Sequence, residues 1–399
     1  MDIQPFEINI ADEVLSDLRD RLRRTRWPDQ VADSGWAYGT DQKYLRELVK
    51  YWIEKFDWRA QERKLNAFSH FLADVDGLRI HFIHERGRGP KPFPLLITHG
   101  WPGSFVEFTE IIGMLTDPAA HGGDANDAFD VVIPSLPGYG FSERPSTPGM
   151  DMLRVAALFA NLMEGLGYTR WGAQGGDWGA GVSTALGGAF GDRVAGIHLN
   201  MLIGARPPGA PETLSEEDRA RVAKMNEFRR EETAYMQLQG TKPQTVGHAL
   251  NDSPAGLASW IVEKFRTWSD CGGDVERRFT KDQLLTNITL YWVTETINSS
   301  MRLYYETMHS PLLRSAFEDG EGSGGGEGSG GGGGGMRVTV PTGVASFPGE
   351  IYRPPRAWAE KIYNITHWSD MPEGGHFAAM EVPRLLAEDV RAFFRKIRP

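Results

Sequence analysis

The chain has little of what would mark most other functional classes. Cys271 is its only cysteine in 399 residues. That excludes an intramolecular disulfide and a cysteine-rich metal site, and it fits a reducing compartment. There is no basic surplus: 43 Lys and Arg stand against 53 Asp and Glu, and a net charge of −10 argues against a nucleic-acid surface. No run of about 18 apolar residues occurs, so no membrane span is expected. The opening M-D-I-Q-P-F-E-I-N-I lacks the basic-then-apolar order of a signal peptide. The expected location is the cytoplasm. With 40% hydrophobic and 24% charged residues, the composition is that of a soluble globule able to bury a large core.

What is present reads as one α/β domain with elaborations. Residues 7–66 mix amphipathic helical patterns with Trp27, Trp36, Trp52 and Trp58, and suggest a segment wrapped on the rest. Runs at 71–75 and 78–84 flank Asp76-Gly77, a dipeptide suited to a tight hairpin because both positions tolerate positive φ. Apolar runs at 94–98, 129–133, 168–174 and 194–200 then alternate with helix-length segments, which predicts a parallel sheet with crossover helices. Residues 201–285 change character: 212–236 is charged with helical period and 254–268 is a short helix, so an inserted helical lid is expected. Strands resume at 338–341 and 362–368, and a helix over 383–396 closes the chain. The division expected is 1–92 wrapping segment and hairpin, 93–200 first core part, 201–285 lid and 286–399 second core part. Within the last, residues 320–335 hold 12 glycines in 16 and predict a flexible loop.

The stretch W-G-A-Q-G-G-D-W-G (171–179) carries the chemistry. A nucleophile elbow is a strained strand-to-helix turn that needs small residues two positions either side of the nucleophile. Gly175 and Gly179 provide that spacing around Asp177, in the position where an α/β-hydrolase fold normally has serine. A carboxylate there attacks saturated carbon and forms an alkyl ester, unlike the acyl transfer of a serine. H-G-W-P-G-S (99–104) follows a strand and opens a helix, where this fold draws one oxyanion donor. The backbone N–H of Trp101 is that candidate, and the N–H of Trp178, at a helix N-terminus, is the second. His99 reads as a turn histidine held by nearby backbone.

Triads of this fold run nucleophile, acid, histidine. Among ten histidines, His376 in G-G-H-F lies after the last strand and before the last helix, on a loop free to aim the ring. For the acid, Glu350 in F-P-G-E and Asp370 in W-S-D compete.

Seven runs in one order carry a resemblance: H-G-W-P-G-S, P-G-Y-G-F-S (137–142), G-G-D-W-G (175–179), T-K-P-Q-T (241–245), L-N-D-S-P-A-G-L-A (250–258), V-P-T-G (340–343) and G-G-H-F-A-A (374–379). Together they resemble the microsomal-type epoxide hydrolases over nearly the whole chain, the glycine-rich insert excepted. The resemblance implies an α/β-hydrolase fold: a mostly parallel sheet with helices on both faces, an inserted lid and an N-terminal wrapping segment. It implies Asp177 as nucleophile, His376 as water-activating base and Glu350 as its charge partner. Two lid tyrosines that hold the epoxide oxygen fall on Tyr235 and Tyr304, with Tyr305 as the neighbour to exclude. It also implies a cis Trp101-Pro102 peptide. Membrane-bound members carry an N-terminal anchor that is not legible here, so a soluble relative is expected.

The mechanism implied is ester formation on Asp177, hydrolysis by a water that His376 deprotonates, and release of a vicinal diol. No metal and no organic cofactor is expected. The expected partner is a small-molecule epoxide, and a homodimer is allowed. Phe105, Phe228, Leu238 and Trp268 are candidate cavity walls, each weighed against a plain packing role. Two other readings stand beside this one: a haloalkane dehalogenase using the same aspartate, and a silent binding protein of the fold.

Overall fold

A computed structural model describes residues 1–203, 206–207, 209–211, 213–313 and 337–398; the glycine-rich stretch 320–335 lies outside them. Nine strands form one sheet: β1 (Ile3–Phe6), β2 (His70–Val75), β3 (Leu78–Glu85), β4 (Phe93–Thr98), β5 (Phe129–Pro134), β6 (Trp171–Gly175), β7 (Val194–Leu199), β8 (Val338–Ser346) and β9 (Tyr363–Asp370). Their spatial order is β1-β2-β3-β5-β4-β6-β7-β8-β9. The pairings from β1 to β5 through β3 are antiparallel, and those from β5 to β9 are parallel. This is the α/β-hydrolase architecture the sequence leads one to expect.

The central strands are apolar on both faces, as strands covered by helices on both sides must be. Leu95, Leu96, Ile97, Val131, Val132 and Ile133 are fully buried. At the hairpin, Asp76 (φ 52°) and Gly77 (φ 77°) take the two positive-φ positions, as a two-residue turn requires.

The helices are α1 (Asp12–Arg23), α2 (Gln42–Glu54), α3 (Trp58–Leu65), α4 (Thr109–Thr116), α5 (Met152–Gly165) and α6 (Asp177–Ala189), then α7 (Glu216–Glu231), α8 (Ala234–Thr241), α9 (Pro243–Leu250), α10 (Pro254–Trp268), α11 (Lys281–Val293) and α12 (Ile297–Met308), and last α13 (Arg356–Ile362), α14 (Ala378–Glu381) and α15 (Pro383–Phe394). α1 and α2 pack on α10, and α2 and α3 on α11. Thr40 Oγ1 donates to the Ser259 carbonyl at 2.8 Å and Tyr51 to Asp282 at 2.9 Å.

Several boundaries differ from the expectation, each for a physical reason. A boundary at residue 285 falls inside α11, because the helical stretch between β7 and β8 continues through α12 to Met308. β1 was not expected at all; four residues long and containing Pro5, it survives because it pairs at the sheet edge with β2. β8 runs nine residues and passes through Pro341, where the register with β9 shifts. A bulge tolerates the missing N–H. β6 begins only at Trp171, since Tyr168 lies before the strand and spends its hydroxyl on Asp130 at 2.9 Å.

The closing helix α15 lies close on the sheet because three strands offer glycine to it. A Cβ on Gly172 would come 2.2 Å from Phe394, one on Gly343 2.7 Å from Phe393, and one on Gly196 2.5 Å from Ile397. On the same helix, Asp389 accepts from His198 at 2.9 Å, His367 at 2.8 Å and Ser369 at 2.6 Å. Burial alone would raise this carboxyl, but those hydrogen bonds hold it far below the usual carboxylate range. A depressed folded value stabilises the fold above the unfolded value of about 3.9 and is lost as pH falls below it. Asp389→Asn is therefore expected to lose about 2–3 kcal/mol at pH 7. Denaturant titrations should show the gap to the parent closing below about pH 4.

Candidate active site

Parallel strands end on one side of the sheet, and in open α/β folds ligands bind at those carboxyl ends. Asp177 follows β6 after a single residue, Gly176, with φ at +49°, a left-handed conformation rare outside glycine. The turn is possible because its neighbours have no side chains. A Cβ on Gly175 would come 2.2 Å from the Gly179 backbone, and one on Gly179 1.8 Å from the Thr98 carbonyl oxygen. One on Gly100 would come 2.2 Å from Asp177 Oδ1 itself. The Trp101 N–H donates to that same Oδ1 at 2.8 Å, and the Trp101-Pro102 peptide is cis. Trp178 is the second residue of α6, where a backbone N–H has no partner within the helix.

His376 lies between β9 and α14. Its Nδ1 is 2.9 Å from Glu350 Oε1 and its Nε2 is 3.4 Å from Asp177 Oδ2. Since a carboxylate can only accept, Nδ1 carries the proton. Burial pulls the imidazolium down, but Glu350 and Asp177 outweigh it and hold His376 well above its ordinary value. Asp370 is elsewhere: it is exposed, accepts from Trp368 Nε1 at 3.2 Å, and pairs with Arg221.

The loop carrying His376 is tied to the end of α10. The His376 N–H donates to the Trp268 carbonyl at 3.0 Å, and the Gly374 N–H to Asp270 at 3.0 Å. Glu381 accepts from the N–H groups of Asp270 at 2.7 Å and Phe377 at 2.9 Å. Burial pushes Glu381 up to about 7 against the pull of those two donors. Arg278 completes the tie by bonding Asp270 and Glu373, each at 2.9 Å.

Tyr235 begins the first turn of α8 and Tyr304 lies on α12, and both are buried. The Tyr235 ring stacks on Trp101 at 5.2 Å and 8°, and Tyr304 meets Trp178 edge-on at 4.7 Å. Burial first, and the Asp177 charge second, raise the Tyr235 phenol well above 10. Burial leads again for Tyr304, with Tyr235 and then Asp177 contributing. Tyr305 is half-exposed and stacks on His309 instead.

Of the four candidate walls, Trp268 meets His376 edge-on at 5.0 Å, and Phe228 packs edge-on to Trp268. Phe105 instead packs against His70, His81 and Phe141, and Leu238 is exposed on α8. His99 is a turn residue: Nδ1 donates to the Gly100 carbonyl and Nε2 accepts from the Leu136 N–H. An open groove of about 620 Å³ runs past Phe6, Phe141 and Val293 and touches none of the triad. A cavity of about 20 Å³ is lined by Asp177, His376 and Glu107. Glu107, Asp270 and Glu381 were not singled out in the sequence. The one local signal was Glu107's place four residues after Gly103 in the H-G-W-P-G-S-F-V-E run.

Comparison with known proteins fits this geometry. Residues 3–108 match the family described as epoxide hydrolase N terminus, and 94–246 the alpha/beta hydrolase fold. A Stigmatella aurantiaca protein is 45% identical over 99% of this chain and 86% of its own. Epoxide hydrolase 1 of Oryctolagus cuniculus is 40% identical over 98% of this chain and 88% of its own. The chain belongs to the epoxide hydrolase family. The structure of juvenile hormone epoxide hydrolase from Bombyx mori superposes on this family member with TM-score 0.89 at 35% identity, covering 100% of this chain and 95% of that one. Among the described residues, no helix is long and apolar enough to cross a membrane.

In this member of the epoxide hydrolase family, Gly100 gives the most direct test of how Asp177 is seated. Gly100→Ala would push Asp177 from the Trp101 N–H, and a displacement of about 1 Å costs on the order of 100-fold in rate. Epoxide consumption should fall by at least about that factor, while circular dichroism and the thermal midpoint stay near the parent's.

Proposed function

We propose that this protein hydrolyses an epoxide to a vicinal diol through a covalent hydroxyalkyl ester on Asp177. The observation that carries the reading is a half-buried carboxylate, Asp177, 3.4 Å from His376, which in turn bonds Glu350, with two buried phenols, Tyr235 and Tyr304, near enough to feel its charge. The substrate is a small-molecule epoxide, and the helices between β7 and β8 act as its lid. Opening the ring leaves negative charge on oxygen, which a neutral phenol can meet as donor. Paired phenols favour an epoxide over a haloalkane, whose leaving group is a halide.

The charge balance follows the steps. Asp177 Oδ2 forms the bond to an epoxide carbon, the C–O bond of the ring breaks, and Oδ1 becomes the ester carbonyl oxygen beside the Trp101 N–H. The same carboxylate charge that raised the phenols' pKa has now passed to the substrate oxygen, so donation strengthens as the ring opens. His376 loses one of the two charges that stabilised its imidazolium, and its proton goes to the alkoxide by way of the phenols. The neutral ring then takes a proton from water, whose oxygen bonds to the ester carbon. The oxyanion held by the Trp101 and Trp178 N–H groups collapses. The ester bond breaks, the diol leaves with the proton from His376, and the proton left on the Asp177 carboxyl passes to His376, which restores both groups. Epoxide and water are the only reactants this balance uses.

In ¹⁸O water under single turnover, tested on styrene-type, aliphatic and terpenoid epoxides, the first diol should carry no label, because its new oxygen comes from Asp177. Label in that first product would sink the ester route. His376→Gln should stall at the ester, seen as a protein mass increase equal to the epoxide. Tyr235→Phe and Tyr304→Phe should each slow ester formation about 100-fold, the scale of one lost oxyanion-type donor, whereas Tyr305→Phe should stay within about twofold because its ring lies outside the site.

A further inference from the structure

His376 meets Asp177 from a loop, and both peptide groups that flank it are held from outside that loop. The His376 N–H donates to the Trp268 carbonyl at 3.0 Å, and the N–H of Phe377, the next residue, donates to Glu381 Oε1 at 2.9 Å. The other Glu381 oxygen accepts from the Asp270 N–H at 2.7 Å, two residues beyond Trp268. One buried carboxyl on α14 thus joins the loop of His376 to the end of α10. Two N–H groups aimed at one side chain need two acceptor oxygens. A carboxylate offers them, whereas an amide presents one acceptor and one donor.

We infer that Glu381 is a positioning residue for ester hydrolysis: ionised, it holds His376 at the angle from which the ring takes a proton from water, and protonated, it weakens its hold on one of the two N–H groups and lets the ring drift. This rests on the ester route above. Glu381 touches no reacting atom. Burial pushes its carboxyl up, the two N–H donors oppose the rise, and Arg278 and His376 add positive charge beside it, which leaves it at about 7. The other charges near it are spent elsewhere. The Asp270 carboxylate bonds the Gly374 N–H and Arg278, and Glu373 bonds Arg278. The 3-10 turn Phe105–Phe108, α4 and α15 also pack on α14. On the turn, Glu107 interacts with His376 and Asp177, and on α4 Glu110 is exposed. On α15, Arg384 bonds Glu388, Asp389 bonds His198 and His367, and Arg391 donates to the Met114 carbonyl.

The test separates ester formation from ester hydrolysis by rapid-quench mass spectrometry, with an epoxide the parent turns over, from about pH 5 to about pH 9. In the parent, hydrolysis needs His376 neutral and Glu381 ionised, so its log rate should fall toward low pH with a slope clearly above one, the limit for a single ionisation. Glu381→Gln removes the second ionisation and faces one N–H with an amide donor. Its slope should drop to about one. At about pH 9 it should hydrolyse the ester roughly 10- to 100-fold more slowly than the parent, the scale of a group misplaced by about 1 Å. Ester formation, in which Asp177 attacks directly, should change far less. A parental slope of one, a Gln variant that keeps the parental slope, or equal slowing of both steps would overturn the role of Glu381 alone. The first of these needs no variant, so the test stands even if Glu381→Gln does not fold. A parent that forms no ester would instead bring down the reading on which it rests.

Discussion

Two carboxylates share one imidazole inside this protein, and the rest of the site is arranged around the charge they leave. Glu350 and His376 are almost fully buried, and the His376 ring stands between Glu350 and Asp177. Such an array is costly to bury unless its hydrogen bonds are satisfied. Backbone donors provide much of that satisfaction: the Trp101 N–H to Asp177, and the Ile351 N–H to Glu350 at 2.7 Å. The N-terminus of α6 adds its partial positive charge directly at Asp177. Main-chain donors are fixed by the fold, so they need no reorganisation when charge moves during reaction.

Fixing main-chain groups this closely demands backbone approaches that side chains would block. Gly100, Gly175 and Gly179 let β4, β6 and α6 converge under Asp177. On the opposite side, a Cβ on Gly375 would lie 2.9 Å from the Trp268 carbonyl oxygen, and Gly349 bridges to Gly375. The acid loop, the base loop and the end of α10 therefore touch through backbone. Glycine here is a requirement of distance, and at Gly374, with φ at +102°, one of conformation as well.

The sharp turn at Asp177 was legible because its constraint is local: a small residue two positions either side of Asp177 is written in the chain. The central strands were legible for a similar reason, since burial on both faces leaves continuous apolar runs. The carboxylate that bonds His376 was not, because nearness along the chain misleads: Asp370, six residues before His376, ends the edge strand β9 and faces Arg221, while Glu350 meets the ring. Tyr235 and Tyr304 were reached through family resemblance alone. Helical period says which face is buried, but not that a buried phenol lies near enough to Asp177 to feel its charge. The end of the helical stretch between β7 and β8 was not legible because α11 is buried along nearly its whole length, so it reads like core. Glu107 and Glu381 depend for their chemistry on tertiary burial, which composition does not carry.

The helices between β7 and β8 are separate from the sheet elements along the chain but not at the site. His376 is carried on the loop between β9 and α14, yet its own N–H is satisfied by Trp268, the last residue of α10, and the loop around it by Asp270 and Glu381. Trp268 also packs its ring against both His376 and Tyr235. A shift of the end of α10 would thus move His376 and one phenol together. Helices α1 and α2 of the N-terminal segment pack on that same α10, with Arg266 over the Trp36 ring at 4.6 Å near its end. A segment remote in sequence thereby braces the helix against whose end His376 and Tyr235 both rest.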